Sequence, residues 1–131
     1  MPINFYLSPH FDDVALSIGG LAAARSAAAQ AGVCITIFAA PPPAGAPLSA
    51  YAQRLHTRWG APDPSGGNAL RRAEDQHAAA ILGYDLLLLP YPDAIYRHGR
   101  YLSNPDIFGT IHPAEAGFAA ELARHVESAL A

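Results

Sequence analysis

Residues 9–20, PHFDDVALSIGG, bring together His10, Asp12 and Asp13 just after an apolar run. A His and a carboxylate three residues apart around a tight turn can face one cation. Imidazole nitrogen plus carboxylate oxygen is a partial ligand set typical of catalytic zinc. The neighbouring carboxylate, pointing another way, can take a proton from water that such a metal has acidified. Other uses of the same residues stand beside this one. Acids at a strand-to-helix turn also act as N-caps, a role open to Asp12 or Asp13. Paired acids end the first strand of phospho-acceptor receiver domains too, but that chemistry calls for a lysine, and every basic side chain here is Arg. The turn lacks G-x-G-x-x-G, which argues against a dinucleotide site.

Such a turn needs a scaffold, and the rest of the chain supplies one. INFYLS (3–8) reads as a buried strand. VALSIGGLAAARSAAAQAG (14–32) suits a helix closed by Gly32, and VCITIFAA (33–40) a second strand. PPPAGAP must be a loop. LSAYAQRLHTRWG (48–60) reads as a short helix, and APDPSGGN (61–68) as another loop. ALRRAEDQHAAAILG (69–83) is a helix capped by Asn68 and stopped by Gly83. YDLLLLPY (84–91) is a strand apolar on both faces, 92–112 is irregular, and a last helix starts at Pro113, with Phe118, Leu122, Val126 and Leu130 spaced four apart. Doubly apolar strands alternating with helices predict an α/β fold. We expect a Rossmann-like three-layer α/β/α arrangement with a mainly parallel sheet. Ligands of such sheets bind at the carboxyl ends of the strands, where His10, Asp12 and Asp13 fall.

The 131 residues suit one domain, 1–131, and 51% of them are hydrophobic. A net charge of -3 provides no basic footprint for nucleic acid. A single cysteine, Cys34, excludes an internal disulfide. The opening MPINFYLS lacks the pattern of a secretion signal, and no apolar run has the length of a membrane span. The expected setting is the cytoplasm and the expected partner a small molecule. Oligomeric state is left open.

SPHFDDVALSIGG resembles the P/A-H-P-D-D-x-x-L-x-x-G-G signature of the LmbE/PIG-L-type zinc-dependent N-acetylglucosaminyl deacetylases. The resemblance continues through ITIFAAPPPA and LRRAEDQHAAAILGYDLLLLPYPDA, in order, over most of residues 3–95. It implies that His10 and Asp13 bind the metal and that Asp12 is the general base for hydrolysis of an N-acetylated amino sugar. It also implies that Arg71 and Asp93 contact the substrate. A guanidinium suits substrate oxygens because it donates bidentately; on spacing alone Arg71 equally suits a pair with Glu74 or Asp75 within the helix. Zinc is the implied metal, although a nitrogen–oxygen site also accepts iron, cobalt or manganese. Phe11 stands where the signature has Pro, and Val14 where Glu is frequent; neither is a ligand position. The larger departure is that the H-x-x-H-like motif carrying the third metal ligand has no counterpart here. His98 and His112 are the substitutes to consider. His125 is expected to be solvated, and His56 and His77 to lie on helix surfaces. Members of this family are about twice as long, so the chain is expected to be an N-terminal portion, either part of a deacetylase or a non-catalytic remnant.

Overall fold

The computed structural model describes residues 2–61, 63–97 and 99–130. Strands β1 (Asn4–Ser8), β2 (Gly32–Thr36) and β3 (Asp85–Leu88) form a parallel sheet in that order, with Tyr6, Cys34 and Leu86 in register. Alternate residues leave the sheet on opposite faces, and each face has its own core. On one side Tyr6, Cys34 and Leu86 meet Val14 and Ala22 of α1 (Asp13–Ala27) and Ala79 and Leu82 of α3 (Pro64–Leu82). On the other, Val33, Ile35 and Leu89 meet Phe118, Leu122 and Val126 of α5 (Phe118–Leu130). The expected three-layer α/β architecture is therefore present. Helices α2 (Ala50–Arg58) and α4 (Asn104–Ile107) lie in the connections.

The second layer is uneven. Helix α5 packs over β2 and the segment after β3, and its core includes no residue of β1. Ile3, just before β1, and Phe5 and Leu7 on it remain 41 to 55% exposed, and the only partner of β1 among the described residues is β2.

Several boundaries differ from the sequence reading; β3 stops at Leu88, before Pro90, and the last helix starts at Phe118. Gly32 does not stop α1, which ends at Ala27; it opens β2. A Cβ there would come within 2.9 Å of Tyr6 Cε2, so the glycine allows the tyrosine ring to lie against the strand. Helix α3 begins at Pro64, with Asp63 as cap accepting from the Gly66 N–H at 2.6 Å. Proline at the first helical position is the signal that the glycine pair after it masked. Asn68 is thus inside the helix, where its side chain donates to the Ala40 carbonyl. Strand β2 ends at Thr36 instead of running on to residue 40, because Phe38 and Ala40 meet Pro90 and Pro92, and proline has no N–H to extend a ladder.

The irregular stretch before the last helix is tied down by one buried carboxylate. Glu115 accepts from Arg97, Arg100 and the Tyr101 hydroxyl at 2.9, 3.1 and 2.8 Å. Residues 113–115 form a separate 3-10 turn ahead of α5.

Candidate functional site

The loop leaving β1 is built from the backbone outward. Ser8, buried at the end of the strand, donates its hydroxyl to the His10 carbonyl at 2.7 Å. The His10 N–H donates to Asp13 Oδ2 at 2.9 Å. Between them Asp12 takes a left-handed conformation (φ 73°) as the residue preceding α1, yet its carboxylate makes no capping bond. The capping role considered from sequence therefore does not occupy Asp12.

His10 faces two carboxylates. Its Nε2 lies 3.1 Å from Asp93 Oδ2, and its Nδ1 lies 3.6 Å from Asp13 Oδ2. Both carboxylates can only accept, so each favours a proton on the ring nitrogen it faces; the nearer one, Asp93, takes the Nε2–H, which leaves Nδ1 as the nitrogen open to a cation in the neutral ring. The hydrogen bond to Asp93 raises the His10 pKa against the opposing effect of burial. Burial, the largest single effect on the Asp93 carboxyl, raises it, but the hydrogen bond and charge of His10, the Ile95 N–H and the Arg97 charge together hold that group below its usual range. The other Asp93 oxygen accepts from the Ile95 N–H, fixing the carboxylate at the start of a short turn.

These residues open on a cavity of about 520 Å³, lined by His10, Asp13, Asp93, Arg71, Trp59 and Tyr96 among others. Asp12 is not in the lining; its Oδ2 lies 3.9 Å from Arg71 Nη2, whose side chain is. The Arg71 guanidinium sits over the rings of both Phe11 and Trp59. All five residues singled out from the sequence thus meet at the carboxyl end of the sheet: His10, Asp12, Asp13, Arg71 and Asp93. The pair Nδ1 and Oδ2 fits two protein positions around one cation. Among the described residues, no group of three or more His, Cys, Asp or Glu side chains could hold a metal ion. His112 caps the 113–115 turn, accepting from the Ala114 N–H, and His98 lies outside the described residues.

Two histidines depart from expectation. His125 is not free in solvent; its Nδ1 lies 3.0 Å from the Tyr91 hydroxyl. His56 is 6% exposed and lines the cavity, its Nε2 2.6 Å from Tyr96 Oη. A helix-surface reading missed it because α2 turns this face onto the 94–96 turn, a contact that local sequence does not encode.

Burial pushes the His56 pKa below 6.5. The unfolded chain therefore takes up this proton first as pH falls. The stability contributed by neutral His56 is present above pH 6.5 and is lost as pH drops below it. His10, shifted the other way, acts in the opposite sense. Thermal melts between about pH 7.5 and 5 should show a steeper acid loss in the native chain than in His56→Gln; parallel curves would refute the assignment.

No family model matches the chain, and no curated protein does. Solved structures do match. A deacetylase–bog complex from the teicoplanin biosynthesis pathway is 31% identical, with a TM-score of 0.82, over 98% of this chain and 50% of its own. A deacetylase–teicoplanin complex is 27% identical, with a TM-score of 0.80, over 98% of this chain and 53% of its own. The zinc-inhibited form of teicoplanin deacetylase Orf2 is 29% identical, with a TM-score of 0.79, over 98% and 52%. The chain spans about half the length of these deacetylases.

Proposed function

From a chain that carries the fold of the LmbE/PIG-L-type deacetylases over about half their length, we propose metal-dependent hydrolysis of the N-acetyl group of an amino sugar or related small molecule. The observation that carries this reading is the His10 Nδ1–Asp13 Oδ2 pair at the end of β1, facing the cavity, with the uncapped Asp12 carboxylate beside it. His10 and Asp13 would hold a divalent cation, zinc first among them. When bound there, such a cation supplies Lewis acidity toward an amide carbonyl and toward water.

The chain's own groups do the rest. Asp12 accepts the proton of the attacking water and returns it to the departing amine. Arg71, at the cavity wall, offers guanidinium donors to substrate oxygens, and Asp93 borders the same space beside His10. That related structures are complexes with small molecules supports a small-molecule substrate. The free, buried Cys34 supports a reducing, cytoplasmic setting. Among the described residues no helix is long and apolar enough to cross a membrane.

The test is acetate release from N-acetylglucosamine derivatives by protein loaded in turn with zinc, cobalt, iron and manganese. A second reading, a non-catalytic remnant that binds metal weakly, draws on the lack of a third donor among the described residues. Metal uptake without acetate release under any of these ions would favour it.

Asp93 gives a separate expectation. A carboxylate on the far nitrogen of a metal-binding imidazole fixes its tautomer and orientation, and losing such a partner costs about 10–100-fold in metal affinity. Asp93→Ala should weaken zinc binding by that factor in a chelator competition. An unchanged affinity would place Asp93 with the substrate alone.

A further inference from the structure

One peptide group of the site loop is gripped from both ends by a single turn of α3. Arg71 Nη2 donates to the Phe11 carbonyl at 3.2 Å, and the Asp12 N–H donates to Asp75 Oδ1 at 3.3 Å. That carbonyl and that N–H belong to the same peptide unit. In a trans peptide they point in opposite directions. Arg71 and Asp75 are four residues apart on one helix and so lie on the same face, one turn from each other. A donor and an acceptor at that spacing match the two ends of a peptide lying along the helix.

Asp75 has the character of a part built for this purpose. It is 2% exposed, and burial raises its pKa. Its second oxygen accepts from the hydroxyl of Thr36, itself fully buried at the end of β2. Burying a carboxylate among apolar helices is costly unless its lone pairs are used, and the Asp12 N–H and the Thr36 hydroxyl use them. Asp12 at φ 73° is in the left-handed region, one of several conformations open to an Asp in a free loop, and the two bonds to its peptide select it here.

We propose that Arg71 and Asp75 are positioning residues that clamp the Phe11–Asp12 peptide and so fix the left-handed turn that aims the Asp12 carboxylate. Asp12's catalytic part rests on the function proposed above; the clamp itself does not. Arg71 thereby gains a task beyond the substrate contact implied by the family resemblance. Its guanidinium is held over Phe11 and Trp59 and bonded to backbone.

The clamp is read by NMR on the metal-free chain, without substrate. Asp75→Asn retains a carbonyl oxygen for the Asp12 N–H, whereas Asp75→Leu removes it. The Asp12 amide should exchange with deuterium about tenfold or more faster in Asp75→Leu than in Asp75→Asn, with the Ala79 amide in α3 unchanged as the local control. Equal exchange at Asp12 in the two variants overturns the clamp. Should Asp75→Leu not fold, Arg71→Met tests the other end. Loss of the bond to the Phe11 carbonyl should move the Asp12 amide nitrogen resonance, and an unmoved resonance overturns the proposal. In metal-loaded protein, Arg71→Met should lower kcat in addition to raising KM through the lost substrate contact. A raised KM at constant kcat would assign Arg71 to the substrate and remove it from the clamp. A clamp seen by NMR in a protein that releases no acetate leaves the clamp standing and sinks the deacetylase reading.

Discussion

Asp12→Asn is expected to lower acetate release by about 10²–10⁴-fold, the usual contribution of a positioned general base, while leaving zinc affinity nearly intact. The substitution is chosen for its backbone as much as for its charge. Asp12 sits at φ 73°, and Asn is one of the few other residues that enters that region readily. The turn therefore survives, and only the ability to take a proton is lost. Asp12→Ala removes the same base and adds backbone strain, so a comparison of the two separates chemistry from geometry. Acetate release is measured beside bound metal in the same samples. Turnover close to the native rate in Asp12→Asn would exclude the proton role.

The largest expected loss of stability comes from Gly83→Ala, far from the chemistry. Gly83 ends α3 at φ 77° and lies against α1, where an added Cβ would stand 2.7 Å from Ser26 Cβ and closer still to its hydroxyl. Two costs combine. A side chain in the left-handed region costs roughly 1–2 kcal/mol, and forcing two packed helices apart roughly 1–3 kcal/mol. A total of about 2–5 kcal/mol is a large part of the 5–15 kcal/mol that holds a domain folded. The melting temperature should fall by about 10 °C. Ser26→Gly in the same chain should recover the packing part and leave the backbone part. A full recovery, or none, would show that only one of the two costs operates.

What could be read from the sequence follows from how locally each feature is encoded. The first two strands declared themselves through β-branched and aromatic runs, the third through a run of leucines, and His10, Asp12 and Asp13 through spacing along one loop. Arg71 and Asp93 came only through family resemblance, because 83 residues separate Asp93 from the imidazole it bonds. Asp75 entered only as an intrahelical partner for Arg71, and His56 as a helix-surface residue. Both were misjudged for the same reason: which face of a helix is buried depends on the partner it meets, here the site loop for α3 and the 94–96 turn for α2. The start of α3 was obscured by Gly66 and Gly67, which favour loops by propensity, although Asp63 and Pro64 outweigh them.

The half-covered strand β1 has a consequence for the order in which the molecule comes apart. A strand that among the described residues is paired on one side only, with Phe5 and Leu7 bare, opens more readily than the core around Cys34 and Ile35. The loop carrying His10 and Asp13 hangs directly from its last residue. If His10 and Asp13 hold a cation as proposed, fraying of β1 would loosen that pair, and cation affinity would follow strand integrity. By mass action, whatever pairs with that edge would then tighten the grip on such a cation without touching it, and the cation would in turn anneal the strand.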